Sequence, residues 1–253
     1  MAIINIEFAS EVLGRYTNIT VLTPQISTKG AIGIENGATE GKFKTLLLLH
    51  GLSDDNTRWS SYTSIERYAM QYGIAVILPS GDRSFYTDMK HGDNFYTFIS
   101  DEVLRVARAY LPLSDKREDT FIAGNSMGGY GALKIALKNP DKFSAAAGLS
   151  SVADIELFMT KHTPHLRENI FGNGPVPESE DLFFLAKKYN DEKIKPRIYM
   201  GVGKGDFMYE ENLRLRDAFE ALDYDFTYRD SDGIHDWNFW DEYIQYAIKW
   251  MLG

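Results

Sequence analysis

Six short apolar runs recur along the chain, at 45–49, 75–78, 121–123, 145–149, 198–202 and, more weakly, 226–228. Each is too short for a helix and lacks the polar alternation of a strand with one wet face. Each therefore suits a strand covered on both sides, as parallel strands are. Between them lie helical periodicities: Tyr62, Ile65, Tyr68 and Tyr72; Ile99, Val103, Val106 and Tyr110; Leu215, Phe219 and Leu222; and finally Trp240, Tyr243, Ala247 and Met251. Strand alternating with helix at this spacing demands right-handed crossovers, and the chain is expected to form an α/β fold with a doubly wound, mostly parallel sheet. In such a fold, ligand sites gather at the carboxyl ends of the strands. Two earlier runs, 4–9 and 17–22, are bounded by Gly14 and Pro24 and predict antiparallel edge strands at the N-terminus. The stretch 151–196 breaks the alternation. It is rich in Pro, Gly and charge, with Phe158, Met159, Phe171, Leu182, Phe183 and Phe184 scattered through it, and is expected as a cap-like insertion over a cleft. No internal repeat or linker divides the 253 residues, so one domain is expected over 1–253.

Charge and composition exclude several classes of function. The chain carries 27 Lys and Arg against 36 Asp and Glu, a formal charge of −9. A nucleic-acid surface or a face for an anionic membrane would need clustered basic residues instead, so neither partner is expected. The absence of cysteine removes disulfides, thiolate nucleophiles, thiolate zinc sites and iron–sulfur clusters. The first residues lack a basic stretch followed by an apolar run, and no segment approaches the ~20 apolar residues that span a bilayer. The chain reads as soluble and cytoplasmic.

The chemistry concentrates at Gly124-Asn125-Ser126-Met127-Gly128, a G-x-S-x-G nucleophile elbow that an apolar strand enters and a small-residue helix leaves. Glycines flank the serine because a strained turn and a close helix–strand approach leave no room for Cβ atoms. A serine hydroxyl needs a base to remove its proton and a carboxylate to orient that base. Of five histidines, His235 follows the last expected strand just before the terminal helix, on the edge where the elbow emerges. His50 also ends a strand, but with Gly51 it reads as shaping a turn; His91, His162 and His165 lie in polar loops. For the carboxylate, Asp206 follows the run 198–202 at another strand end, whereas Asp232 could contact His235 only locally and Asp236 suits a helix cap. The order Ser126, Asp206, His235 is that of α/β-hydrolases and differs from two unrelated serine-triad orders. An oxyanion would be held by the backbone N–H of Met127 and by one from the loop after an early strand, where Leu52 is the choice. Acyl and alcohol pockets are assigned to Trp59, Phe85, Tyr86, Tyr209 and Trp237, aromatic residues near strand ends.

With these residues in place, the sequence resembles the esterase D family of α/β-hydrolases, and within it the bacterial tributyrin esterases. The resemblance spans most of the chain. It rests on Ser10-Glu11-Val12-Leu13-Gly14-Arg15, Leu49-His50-Gly51-Leu52-Ser53-Asp54-Asp55, Ser84-Phe85-Tyr86-Thr87-Asp88, the elbow through Gly131, and Gly233-Ile234-His235-Asp236-Trp237. It implies a serine carboxylesterase for short acyl esters, with Ser126, Asp206 and His235 as triad, Leu52 and Met127 as oxyanion donors, no cofactor, a small-molecule ester substrate and a homo-oligomer. Relatives of this family also include S-formylglutathione hydrolases and feruloyl and acetylxylan esterases; formylglutathione hydrolases usually carry histidine where this chain has Asn125. A noncatalytic binding module is a second class, and acyl transfer to an alcohol a third. A metal pair at His162 and His165 is disfavoured because Pro164 interrupts the helix that would align them and no third ligand is near in sequence.

Overall fold

All eight expected runs form strands: β1 (Ala2–Ser10), β2 (Arg15–Thr23), β3 (Lys44–Leu49), β4 (Ile74–Pro79), β5 (Thr120–Asn125), β6 (Ala145–Leu149), β7 (Arg197–Gly203) and β8 (Phe226–Ser231). The computed structural model describes residues 1–26, 32, 36–38 and 40–253. The helices are α1 (Arg58–Tyr62), α2 (Ile65–Tyr72), α3 (Phe95–Thr97), α4 (Val103–Tyr110), α5 (Met127–Lys138), α6 (Ile155–Lys161), α7 (Pro164–Phe171), α8 (Leu182–Lys188), α9 (Tyr209–Glu220) and α10 (Trp237–Leu252). The strands join in one sheet, ordered β1-β2-β4-β3-β5-β6-β7-β8. β1 and β2 pair antiparallel, β2 meets β4 antiparallel, and every pair from β4 to β8 is parallel. This is the expected doubly wound α/β-hydrolase architecture with antiparallel N-terminal strands.

The continuous apolar runs follow from burial on both faces. Side chains alternate across a strand, so Leu46 and Leu48 join one core with Phe121, Ala123, Trp59, Tyr68, Tyr243 and Ile244. Leu47 and Leu49 join the other, with Ile122, Met200, Phe98, Leu133, Leu185 and Phe219. A buried side chain of this size contributes about 1.5–3 kcal/mol, so a polar residue on either face of β3 would be disfavoured. The β1–β2 turn closes on Gly14 at φ +64, and Glu102, buried on a π turn (Phe98–Glu102) between α3 and α4, accepts from the Ser10 hydroxyl and, at 2.8 Å, from Glu11 N–H.

The stretch expected as a cap divides in two. α6 brings Phe158 to a cleft at the strand ends, whereas α8 packs against α5 and α9 in the layer beside the sheet. One polar cluster ties this segment to the elbow helix. Lys134 on α5 is fully buried, and its Nζ donates to Glu180 Oε2 at 2.6 Å, Thr87 Oγ1 at 2.8 Å and the Phe85 carbonyl at 3.1 Å. Lys138 Nζ reaches Glu180 Oε1 at 3.2 Å, and the Tyr130 hydroxyl donates to the Glu180 carbonyl at 2.7 Å. Burial alone would raise the Glu180 carboxyl, but the ammonium groups of Lys134 and Lys138 outweigh it and hold it below its ordinary value. A carboxyl lowered by folding contributes stability above the ordinary carboxylate range and loses it as pH falls through the lowered value. Removing one partner of a buried pair leaves the other charge uncompensated. We expect Glu180→Gln to lower the unfolding free energy by about 3–5 kcal/mol at neutral pH. Denaturant titrations should show the gap from wild type narrowing as the solution is acidified, and a gap independent of pH would refute this account.

Candidate active site

Ser126 sits between β5 and α5 with φ 55 and ψ −116, a conformation that costs a non-glycine residue on the order of 1–3 kcal/mol. The surrounding backbone enforces it. Ser126 N–H donates to Leu149 O at 2.8 Å, and Ser126 O accepts from Tyr130 N–H at 3.1 Å. A Cβ on Gly124 would lie 2.4 Å from Gly128 O, and one on Gly128 would lie 2.4 Å from Leu49 O, so both glycines are required by close approach.

His235 Nε2 lies 3.1 Å from Ser126 Oγ, and His235 Nδ1 lies 2.8 Å from Asp206 Oδ2. A carboxylate only accepts, so Nδ1 carries the proton and Nε2 is free to receive the serine proton. Burial pushes the Asp206 carboxyl up, but the His235 hydrogen bond and charge, the Met208 N–H at 2.9 Å and Ser150 together hold it below its ordinary value. The imidazole stands between Phe207, at 4.8 Å between centroids, and Trp240, edge-on at 4.9 Å. Asp232 is exposed, and Asp236 Oδ1 caps α10 by accepting from Phe239 N–H at 3.0 Å. The sequence-derived Ser126, Asp206 and His235 are thus brought into one hydrogen-bonded chain.

Met127 is the first residue of α5, so its N–H has no acceptor within the helix and lies at the positive end of the helix dipole. Leu52, on the turn after β3, borders the same cleft as Ser126. His50 holds that turn. Its Nδ1 lies 2.7 Å from Gly51 O and its Nε2 accepts from Gly81 N–H at 2.9 Å, which places its proton on Nδ1. Burial lowers its basicity, and protonation would break the Gly81 bond.

The cleft encloses about 410 Å³, with Phe158, Phe207, Trp237 and Trp240 as apolar walls and Ser53, Asp54, Asn125 and Asp236 as polar lining. Of the five aromatics expected in the pockets, only Trp237 lines it. Trp59 is buried, donates from Nε1 to Leu49 O at 3.0 Å and packs edge-on beneath Trp237. Phe85 and Tyr86 are fully buried because both take left-handed backbone conformations, φ 50 and 51, that turn their rings inward. Phe85 packs on Tyr130 and Phe158, and the Tyr86 hydroxyl donates to His50 O at 2.8 Å. Tyr209 points to Asp230 Oδ2 at 2.7 Å. Sequence reasoning missed Phe158, Phe207, Trp240, Asp54 and Asn125 as lining residues; Phe207 and Asn125 could have been found as the immediate neighbours of Asp206 and Ser126. His162 packs at a tilt against Phe158 and Phe207, and His165 lies 3.3 Å from an Arg83 nitrogen. Among the described residues, no three His, Asp or Glu side chains group as a metal-ligand set, and no helix is long and apolar enough to cross a membrane.

Comparison with known proteins places this geometry in context. A family model described as "Putative esterase" matches residues 10–251. An acetyl esterase of Caldicellulosiruptor saccharolyticus is 34% identical, over 99% of this chain and 98% of that protein. Among solved structures, the substrate-bound fluorophosphonate-binding serine hydrolase F of Staphylococcus aureus is 38% identical with a TM-score of 0.89, covering 100% of this chain and 98% of the other. The apoenzyme of an S-formylglutathione hydrolase, also from Staphylococcus aureus, is 38% identical with a TM-score of 0.86, covering 100% and 99%.

The His50 bridge yields a direct test of the turn. His50→Ala strands Gly81 N–H, at about 1–3 kcal/mol, and leaves Gly51 O with the Asp54 N–H alone; it should lower both the melting temperature and the rate of ester turnover. Unchanged turnover in the purified variant would show that the turn does not depend on this bridge.

Proposed function

We propose, for a chain that belongs to the esterase family whose model it matches over residues 10–251, that Ser126, His235 and Asp206 hydrolyse esters of short acyl chains. The protein is a carboxylic ester hydrolase of the serine type. The observation that carries the residue assignment is the chain of contacts from Ser126 Oγ to His235 Nε2, 3.1 Å, and from His235 Nδ1 to Asp206, 2.8 Å.

In the proposed reaction, Ser126 Oγ attacks the ester carbonyl carbon while its proton passes to His235 Nε2. Asp206 keeps the imidazole in the required tautomer and stabilises the imidazolium that forms. The carbonyl oxygen becomes an oxyanion, received by the N–H groups of Met127 and Leu52, each such donor contributing about 2.7–4 kcal/mol. The tetrahedral intermediate collapses, and the leaving alkoxide takes the proton from His235. Water then attacks the acyl-enzyme; His235 accepts the water proton and returns it to Ser126 Oγ as the carboxylic acid leaves. The aromatic walls supply an apolar surface for the acyl chain, and the modest volume of the cleft supports acetyl to butyryl groups over longer ones. The family resemblance also leads to the expectation of a homo-oligomer.

Ser126→Ala is expected to abolish p-nitrophenyl acetate turnover and labelling by a fluorophosphonate, while Asp206→Asn lowers kcat by about 10⁴ without unfolding the protein. Wild-type rates should fall from butyrate to octanoate. Full activity in Ser126→Ala would sink the mechanism, and a flat chain-length profile would sink the acyl assignment. Light scattering should return more than the 28.8 kDa of one chain; a monomeric mass would refute the homo-oligomer.

A further inference from the structure

Two polar groups in the cleft have no role in the triad and no side-chain partner. Asn125 immediately precedes the serine and is fully buried, yet neither Oδ1 nor Nδ2 has a hydrogen-bond partner. A buried amide left unpaired costs about 1–3 kcal/mol, so its retention beside the reacting centre needs a reason. Asp54, half-buried on the turn that carries Leu52, takes part in no ion pair among the described residues. The two converge on one spot: a Cβ on Gly51 would lie 2.9 Å from Asp54 Oδ2 and 3.2 Å from Asn125 Nδ2.

The charge of the cleft is one-sided. Asp54 and Asp236 line it, and no Lys or Arg does. Asp236 is committed to α10, with Oδ1 taking Phe239 N–H and Oδ2 taking the Asn238 amide at 3.2 Å. Asp54 is left as the carboxylate that faces the cleft with no side-chain donor, held by the Gly51 backbone N–H alone, so lone pairs remain for a ligand. Burial raises its carboxyl, which means that its charge is poorly solvated there. A hydroxyl placed against it would form a charge-assisted hydrogen bond, while a second anion would be repelled in a partly desolvated site.

We propose that Asp54 and Asn125 select the alcohol part of the ester, receiving an uncharged alcohol with a free hydroxyl close to the ester oxygen and rejecting an anionic one. The amide offers a donor and an acceptor, and the carboxylate an acceptor, so the pair matches a hydroxyl that both donates and accepts. The substrate class is thus the partly acylated polyol. This inference rests on the esterase reading, because the two groups are positioned relative to Ser126.

Three acetate esters of matched size test it: 2-hydroxyethyl acetate, 2-methoxyethyl acetate and acetoxyacetate. They transfer the same acyl group to Ser126 and differ in whether the alcohol part bears a hydroxyl, a capped hydroxyl or a carboxylate. With kcat/KM divided by each ester's hydroxide-catalysed rate, the expected order is hydroxyethyl above methoxyethyl above acetoxyacetate. Raising the salt concentration should narrow the gap between the neutral and the anionic esters. Asp54→Ala should bring the hydroxyethyl to methoxyethyl ratio to about one. Asp54→Asn should raise acetoxyacetate relative to methoxyethyl acetate by about tenfold, the effect of one nearby charge. Equal wild-type rates for the hydroxyethyl and methoxyethyl esters, or acetoxyacetate turned over fastest, would overturn the proposal while leaving the esterase reading intact. Turnover of all three no faster than by Ser126→Ala would overturn the esterase reading itself.

Discussion

At the end of β5 the chain passes from strand to helix through the single residue Ser126, and the rest of the site is arranged around the contact that permits it. Gly128 on α5 approaches the end of β3 so closely that an added Cβ would meet Leu49 O at 2.4 Å. That approach brings the free N–H groups of α5 beside the turn that carries Leu52, so one close contact sets both the exposure of the hydroxyl and the position of the oxyanion donors. The strain at Ser126, φ 55 and ψ −116, persists because its N–H and carbonyl are both bonded to neighbouring segments. Strain of this kind survives only where the surroundings over-determine it.

Those surroundings form a continuous support beneath the turn. Trp59 and Tyr86 hold Leu49 O and His50 O from inside the protein. Lys134 holds the carbonyl of Phe85, the residue before Tyr86, and the Glu180 carboxylate of the 151–196 segment. The segment is therefore anchored to the elbow helix by a buried ion pair, while its α6 reaches the cleft through Phe158 alone. A neutral His50 fits this support, since its two ring nitrogens must act as one donor and one acceptor.

Much of this was legible in the sequence, for physical reasons. Strands covered on both faces cannot hide their composition, so the runs around Leu47, Ile122 and Met200 stood out. Ser126, Asp206 and His235 were found because each follows a strand and one is bracketed by glycines. The pocket was not legible. Phe85 and Tyr86 lie in a strand-end loop and look available, but left-handed backbone at both residues, which no composition rule anticipates, turns them into the core. Trp240 reads as one more apolar position of the last helix, and only the fold shows it edge-on to His235. Asn125 could be placed beside Ser126 by adjacency, but neither its unpaired amide nor the approach of Asp54 to it shows until the fold is seen.

The remaining constraint is reach. Ser126 follows β5 and His235 follows β8, three strand spacings apart, or about 14 Å at the usual inter-strand distance. The base must therefore come back across β6 and β7 to meet the serine. Two features bring it there. The loops after β7 and β8 are joined by Lys204 N–H to Ser231 O at 2.9 Å and Gly205 N–H to Gly233 O at 2.8 Å, so Asp206 and His235 are registered by backbone. α10 then lies flat on the sheet: at Gly201 of β7 a Cβ would be 2.5 Å from the Tyr243 ring, and Trp240 Nε1 donates to Ser150 Oγ at 3.2 Å, just beyond β6. A side chain at position 201 would lift the helix and carry His235 away from Ser126. The spacing of the triad thus depends on the packing of the terminal helix as much as on the residues that compose it.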